Sequence, residues 1–187
     1  MTGRRGKGIN AGPARGFSMI EMMIVLVIIA AVVTLSAPGF EQVRLSVRLR
    51  AAANDMVSSV YQARSEAIKR NGVVQVCKSA NVLTGSPPTC TTGGGWEQGW
   101  IVFDTDGALD PNAAVISTHP PLAAGFLLRA NRAADELVFN ANGFLAGGIV
   151  ELTACRLAPT QGNHEKVVTV SGSGATTVAR TESGSCP

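Results

Sequence analysis

The sequence predicts an α+β protein: a long N-terminal α-helix, apolar in its first half and amphipathic in its second, packed on a C-terminal β-rich head. Three observations carry this. Residues 17–37 form an apolar run with a single acid, Glu21. Apolar residues then recur every three or four positions up to residue 67, and beyond Gly72 the texture changes to short β-like runs broken by glycine, proline and asparagine. A chain of 187 residues with 45% hydrophobic content holds one anchor and one modest domain.

At about 1.5 Å per residue, a helix over residues 17–37 reaches roughly 31 Å, the thickness of a bilayer's hydrocarbon core. Arg4, Arg5, Lys7 and Arg15 precede it, with no acid among the first sixteen residues. That asymmetry predicts a cytoplasmic N-terminus and an exported head. The same four residues account for the formal charge of +3; without them, twelve basic residues face thirteen acidic ones, so the charge gives no support for phosphate-backbone binding.

A cleaved secretory signal would have a shorter apolar core, and a plain signal anchor leaves Glu21 unexplained, because a carboxylate inside a bilayer is costly. The basic leader, Gly16, the stretch Phe17-Ser18-Met19-Ile20-Glu21 and the apolar run together resemble the class III signal of type IV pilins and type II secretion pseudopilins. The resemblance implies cleavage by prepilin peptidase between Gly16 and Phe17, N-methylation of Phe17, and an assembly role for Glu21. A carboxylate in hydrocarbon needs a cation, and cleavage creates one, the Phe17 ammonium, on the same helix or on a neighbouring subunit. The expected segments are a leader at 1–16, a transmembrane half-helix at 17–37, an amphipathic half at 38–71 and a periplasmic head at 72–187.

Pro38-Gly39 is expected to kink the helix. Beyond it Leu45, Leu49, Ala52, Ala53, Met56, Val60, Ala63 and Ala67 form one stripe, the face that packs on the head. Arg44, Arg48, Arg50, Arg64, Lys69 and Arg70 take other positions, as a solvated face or as filament salt bridges, and Asn71-Gly72 ends the helix.

Eight β-like runs follow, at 73–78, 99–104, 114–118, 126–130, 136–140, 149–156, 166–171 and 176–180, with a loop over 79–95 and a hairpin turn at Asn142-Gly143. Cys77, Cys90, Cys155 and Cys186 all lie beyond the apolar run, and none forms a CxxC pair. Disulfides in an oxidising compartment are the expectation. Of three possible pairings, chain neighbourhood favours Cys77 with Cys90 and Cys155 with Cys186, each worth about 2–4 kcal/mol.

The stretch "QARSEAIKRNGVVQVCKSA", the loop holding Cys90, "WEQGWIVFDTDG", "LVFNANGFL" and the late cysteine are similar to the GspH/FimT group of minor pilins and pseudopilins, nearest to FimT- and FimU-type minor pilins. The resemblance implies the type IV pilin-like fold and a structural subunit rather than an enzyme, one that helps to initiate or cap a type IV pilus. The alternative is a minor pseudopilin of type II secretion. Implied partners are other minor and major pilins or pseudopilins, prepilin peptidase and an inner-membrane assembly platform. Some FimT proteins bind DNA through a C-terminal Gly-Arg-x-Arg motif; here the place reads Gly174-Ala175-Thr176-Thr177, which argues against nucleic acid as a partner.

No other chemistry gathers. Asp104-Thr105-Asp106-Gly107 opens like a calcium loop but lacks the later ligands, so no metal is expected. His119 and His164 stand apart from the cysteines in loop-like sequence and show no organised base, and the glycine clusters lack a P-loop's lysine. Trp96, Trp100 and Phe103 are expected in the core. No cofactor is implied.

Overall fold

The computed structural model describes residues 16–84, 87–105, 115–132, 134–156, 165–181 and 186, with the side chains of 36–39, 41 and 42 left outside that description. The chain forms two compact units, Met1–Gln42 and Val43–Pro187, with the helix α1 (Met19–Arg70) contributing to both.

In the first unit α1 begins where the Met22 amide donates to the Ser18 carbonyl, 3.2 Å. Every described side chain from 16 to 35 is exposed. Among the described residues no helix is long and apolar enough to cross a membrane. The expected span, 17–37, runs past the last side chain described there, at Leu35. Helical structure continues through Pro38-Gly39, where the sequence led to the expectation of a kink.

The second unit is built around the rest of α1. Among the described residues its strands are β1 (Val74–Lys78), β2 (Trp100–Asp104), β3 (Val115–His119), β4 (Phe126–Ala130), β5 (Glu136–Phe139), β6 (Val150–Arg156), β7 (Glu165–Val170) and β8 (Thr176–Thr181). They form two antiparallel four-stranded sheets, ordered β3-β2-β1-β5 and β4-β6-β7-β8. Leu49, Ala53, Met56, Val60, Ala63 and Ala67 of α1 are buried, in one core with Val74, Val76 and Trp100 of the first sheet and Leu128, Leu152 and Val168 of the second. The helical stripe read from sequence is this face, with Leu45 only half-buried at its start.

All eight expected runs are strands, with ends shifted by a residue or so. Two of the shifts have a visible local cause. Val73 uses its carbonyl for the Thr105 amide and hydroxyl, and Asn140 turns, its Oδ1 accepting from the amides of Asn142 and Phe144. The sequence reading missed a 3-10 turn, Trp96–Gln98, bounded by Gly95 and by Gly99 at φ +114°. The gap between the sheets is bridged by the Leu145 amide, which donates to the Gly172 carbonyl, 2.9 Å.

The helix ends in a double cap. The Gly72 amide reaches the Ala67 carbonyl and the Asn71 amide that of Ile68, while Asn71 takes φ +52°. This is a Schellman motif with asparagine, the non-glycine residue best suited to a left-handed conformation, at the turning position. Arg70 lies beside it, donating from Nε to Glu66, 2.7 Å, and from Nη1 to Asp104 of β2, 2.8 Å. The Arg70 bond, ahead of that from Lys69, lowers the Glu66 pKa below its ordinary 4.5. A carboxylate with a lowered folded-state pKa adds stability that is complete above its unfolded value and fades as pH falls through the folded one. Arg70→Met is therefore expected to flatten the fall in unfolding free energy below about pH 4.5, measured by urea denaturation against pH. An unchanged acid limb would exclude this linkage.

Candidate assembly site

The N-terminal segment is built from few parts. Gly16, Phe17 and Ser18 lie outside the helix, Phe17 is 78% exposed, and Glu21 sits in the first helical turn. The Ser18 carbonyl accepts the first helical bond, so Ser18 holds the N-cap position and Glu21 the third residue after it. Ser-x-x-Glu is capping-box spacing, which the sequence reading overlooked. A carboxylate there faces the positive end of the helix dipole, so the helix itself supplies part of the compensation an acid needs in apolar surroundings. The leader ahead of Gly16 lies outside the described residues.

In the head, polar links fasten the sheets to α1. Trp100 Nε1 donates to Ser59 Oγ, 2.9 Å, and the Trp100 ring stacks on His119 at 3.7 Å between centroids and 2° between planes. His119 directs Nε2 at Asp55 Oδ2, 3.1 Å, and Nδ1 at the Pro120 carbonyl, 2.8 Å. Ser117 Oγ donates to Gln62 Oε1, 2.7 Å, so the edge strand β3 is held to the helix at two points. His119 thus ends a strand and braces the helix, rather than standing in a loop as expected. His164 lies outside the described residues.

Trp96 and Trp100 are buried in the core, as the sequence suggested, while Phe103 is only half-buried. Trp96 Nε1 donates to the Ala134 carbonyl, 3.0 Å. A residue that sequence reasoning missed is Lys78, which is buried, pairs with Asp135, and donates to the carbonyls of Thr92 and Gly94. It fastens the end of the 79–95 loop, and only the alternation of β1 hinted at its inward position. Of the calcium-like stretch, Asp104 is engaged by Arg70 and residues 106–114 lie outside the described residues. Among the described residues no group of histidines, cysteines and carboxylates is arranged to hold a metal.

Cys77 of β1 is bonded to Cys90, and Cys155 of β6 to Cys186, each pair with Cα atoms 5.5 Å apart. The first fastens the long loop; the second ties the C-terminal end to the centre of the second sheet. Gly174-Ala175-Thr176-Thr177 forms the turn into β8, with Gly174 at φ +75°. A Cβ on Gly174 would lie 2.6 Å from the Gly143 carbonyl and 3.0 Å from Arg64 Cδ. The two turn tips and the helical Arg64 are therefore packed too closely for a side chain.

An apolar helix opening on an N-terminal acid and continuing into a two-sheet antiparallel head defines a pilin-like subunit. The model of the type II transport protein GspH matches residues 52–174, and that of the prokaryotic N-terminal methylation motif matches residues 13–37. The chain belongs to the GspH family of minor pilins and pseudopilins, structural subunits anchored in a membrane. The type IV minor pilin FimU of Pseudomonas aeruginosa is 22% identical in one crystal form, over 70% of this chain and 87% of that one, with a TM-score of 0.53. A second crystal form gives 21% identity, 70% and 92% coverage, and a TM-score of 0.52. The minor pseudopilin EpsH of the Vibrio cholerae type 2 secretion system is 12% identical, over 71% of this chain and 97% of that one, with a TM-score of 0.47. No curated protein sequence matches significantly. At these identities the FimU likeness establishes the shared α+β fold.

The Cys155–Cys186 bond closes a loop with a sequence separation of 31, which by chain entropy corresponds to about 3–4 kcal/mol. Replacing both cysteines by serine is expected to lower the unfolding free energy by about that amount, read from urea unfolding of the detergent-solubilised chain. A loss below about 1 kcal/mol would show that the tail is held by other means.

Proposed function

We propose that the chain is a minor pilin of a type IV pilus. It enters the inner membrane through residues 17–37 with its N-terminus cytoplasmic, is cut between Gly16 and Phe17 by prepilin peptidase, and is methylated on Phe17. The head then lies in the periplasm, and the subunit helps to initiate or cap the filament with other minor and major pilins and the inner-membrane platform. The methylation-motif match over residues 13–37 carries this reading, because it covers the leader's end, Gly16, Glu21 and the apolar run together.

Glu21 is the assembly residue in this scheme. Its carboxylate is offset by the helix N-terminus and by a terminal amine, its own or a neighbour's, which sets the register between subunits. The Trp96-x-x-Gly99-Trp100 segment and the loop fastened by Cys77–Cys90 support the pilus over secretion, because both resemble FimT- and FimU-type subunits. One observation favours the second reading, a minor pseudopilin of type II secretion: the matching family model is described by that transport function.

Gly16→Val is expected to leave the chain uncut in membranes, whereas the wild type yields a mature form beginning at methylated Phe17, read by intact-mass spectrometry. Glu21→Val should be processed normally yet be lost from sheared filaments; normal incorporation would refute the assembly role. Deleting the gene should abolish twitching while sparing exoprotein secretion. The reverse phenotype would select the pseudopilin reading.

A further inference from the structure

At one end of the second sheet, cations gather from β6, β7, β8 and α1. Strand register places Lys166 directly opposite Arg180 and opposite Ala154, and Arg156 lies two residues along β6 from Ala154, on the same face. Across an antiparallel pair, opposite residues have Cβ atoms about 5 Å apart and diagonal ones about 7–8 Å, and like charges placed opposite are destabilising. Arg48 of α1 and Arg156 of β6 both approach the Phe126 ring, 5.8 Å and 5.9 Å from its centroid, and Arg50 of α1 acts electrostatically on Lys166.

Other cations of the second unit have acidic partners, Lys69 and Arg70 with Glu66, Arg70 also with Asp104, Lys78 with Asp135, and Arg129 with Glu97, while Arg132 donates to the Gly147 carbonyl. Among the described residues no ion pair holds Arg48, Arg50, Arg156 or Lys166. Glu165 is next to Lys166 in the chain, but strand alternation puts it on the opposite face, where it accepts from Thr181 Oγ1, 3.1 Å. Lys166 is 9% exposed, and burial first, then Arg180 and Arg50, pushes its ammonium pKa below the usual lysine range. Arg156 is half-exposed, yet its Nε and Nη1 are buried and find no hydrogen-bond acceptor among the described residues.

A buried ammonium among guanidinium groups, beside donors that have left water and found no acceptor, is unfavourable for the empty protein. We propose that Lys166 and Arg156, with Arg48, Arg50 and Arg180 around them, form a site for a single phosphate-type oxyanion, either a phospholipid headgroup or free phosphate. The guanidinium fork suits the planar edge of a phosphate, and Lys166 adds a point charge. Lys166, Arg156 and Arg180 converge at one end of three neighbouring strands, so the arrangement suits one anionic group and not a nucleic-acid backbone, which needs a track of contacts. The proposal is independent of which filament the subunit serves.

The test uses the full chain in maltoside micelles, with thermal unfolding followed by the fluorescence of the core residues Trp96 and Trp100. Sodium phosphate is compared with sodium chloride at equal ionic strength, and short-chain phosphatidylglycerol with short-chain phosphatidylcholine. Phosphate, phosphatidylglycerol or both should raise the wild-type midpoint saturably, with chloride and phosphatidylcholine silent. A response to phosphatidylglycerol identifies the headgroup as a source; a response to phosphate alone identifies the free anion. Lys166→Met combined with Arg156→Gln should weaken the apparent affinity at least about tenfold. If that variant fails to fold, Arg50→Gln and Arg180→Gln, both at exposed positions, should each weaken it about threefold, while Lys69→Gln should not. No anion response, an equal response in the variants, or stabilisation only by a DNA oligonucleotide would overturn the proposal.

Discussion

Everything in the head depends on the buried stripe of α1. Ala52, Ala53, Ala63 and Ala67 are almost wholly buried, and their small side chains let two sheets approach one helix closely. Leu49, Met56 and Val60 fill the space between. Neither four-stranded sheet has a second sheet of its own to cover it across the chain; the helix gives both a common apolar surface. Such a core falls off steeply with any change in volume, because packed interiors tolerate neither voids nor crowding.

Hydrophobic burial does not by itself fix where a sheet sits along a helix, and polar contacts supply that register. Trp100 spends its indole N–H on Ser59, one helical turn beyond Asp55, the residue that holds His119. Arg64 lies against Gly143 and Gly174, the turn tips of the two different sheets. At the end of the helix Arg70 joins Glu66 to Asp104 just as Asn71 turns the chain into β1. Both sheets are thus located on successive turns of one rod, and the positive-φ glycines Gly143 and Gly174 sit where their turns meet the helix.

Much of this was legible because it is periodic. The stripe from Leu49 to Ala67 and the eight strands follow from spacings of 3.6 and 2, and the helix stop follows from Asn71-Gly72. The local signals that were missed were short: Ser18 and Glu21 in capping-box spacing, and a single 3-10 turn between Gly95 and Gly99. The contacts between distant residues could not be read in this way. The stacking of Trp100 on His119 depends on the β2–β3 register, and Lys78 turns inward to fasten a loop that looked merely polar. Lys166, Arg156 and Arg50 are neighbours only once β6, β7 and α1 are in place, so a sum over charges, which gave twelve basic against thirteen acidic residues without the leader's four, concealed a local excess.

The two units of the chain treat apolar surface in opposite ways. The head buries its large aliphatic groups, whereas Ile20, Leu26, Val27, Val33 and Leu35 of the first unit are each more than half exposed. At about 25 cal/mol per Å² of apolar area, leaving such a helix in water would forfeit roughly 1.5–3 kcal/mol for each large side chain. Among the described residues of this unit no side chain is buried, so a surface of lipid or of other helices would recover that energy. Glu21 is the exception that makes the two environments interchangeable. A helix that only partitioned into lipid would do better without an acid, and the helix N-terminus beside Glu21 offsets part of that cost. Under the proposed function, the residue that weakens the segment as an anchor is the one that suits it to assembly.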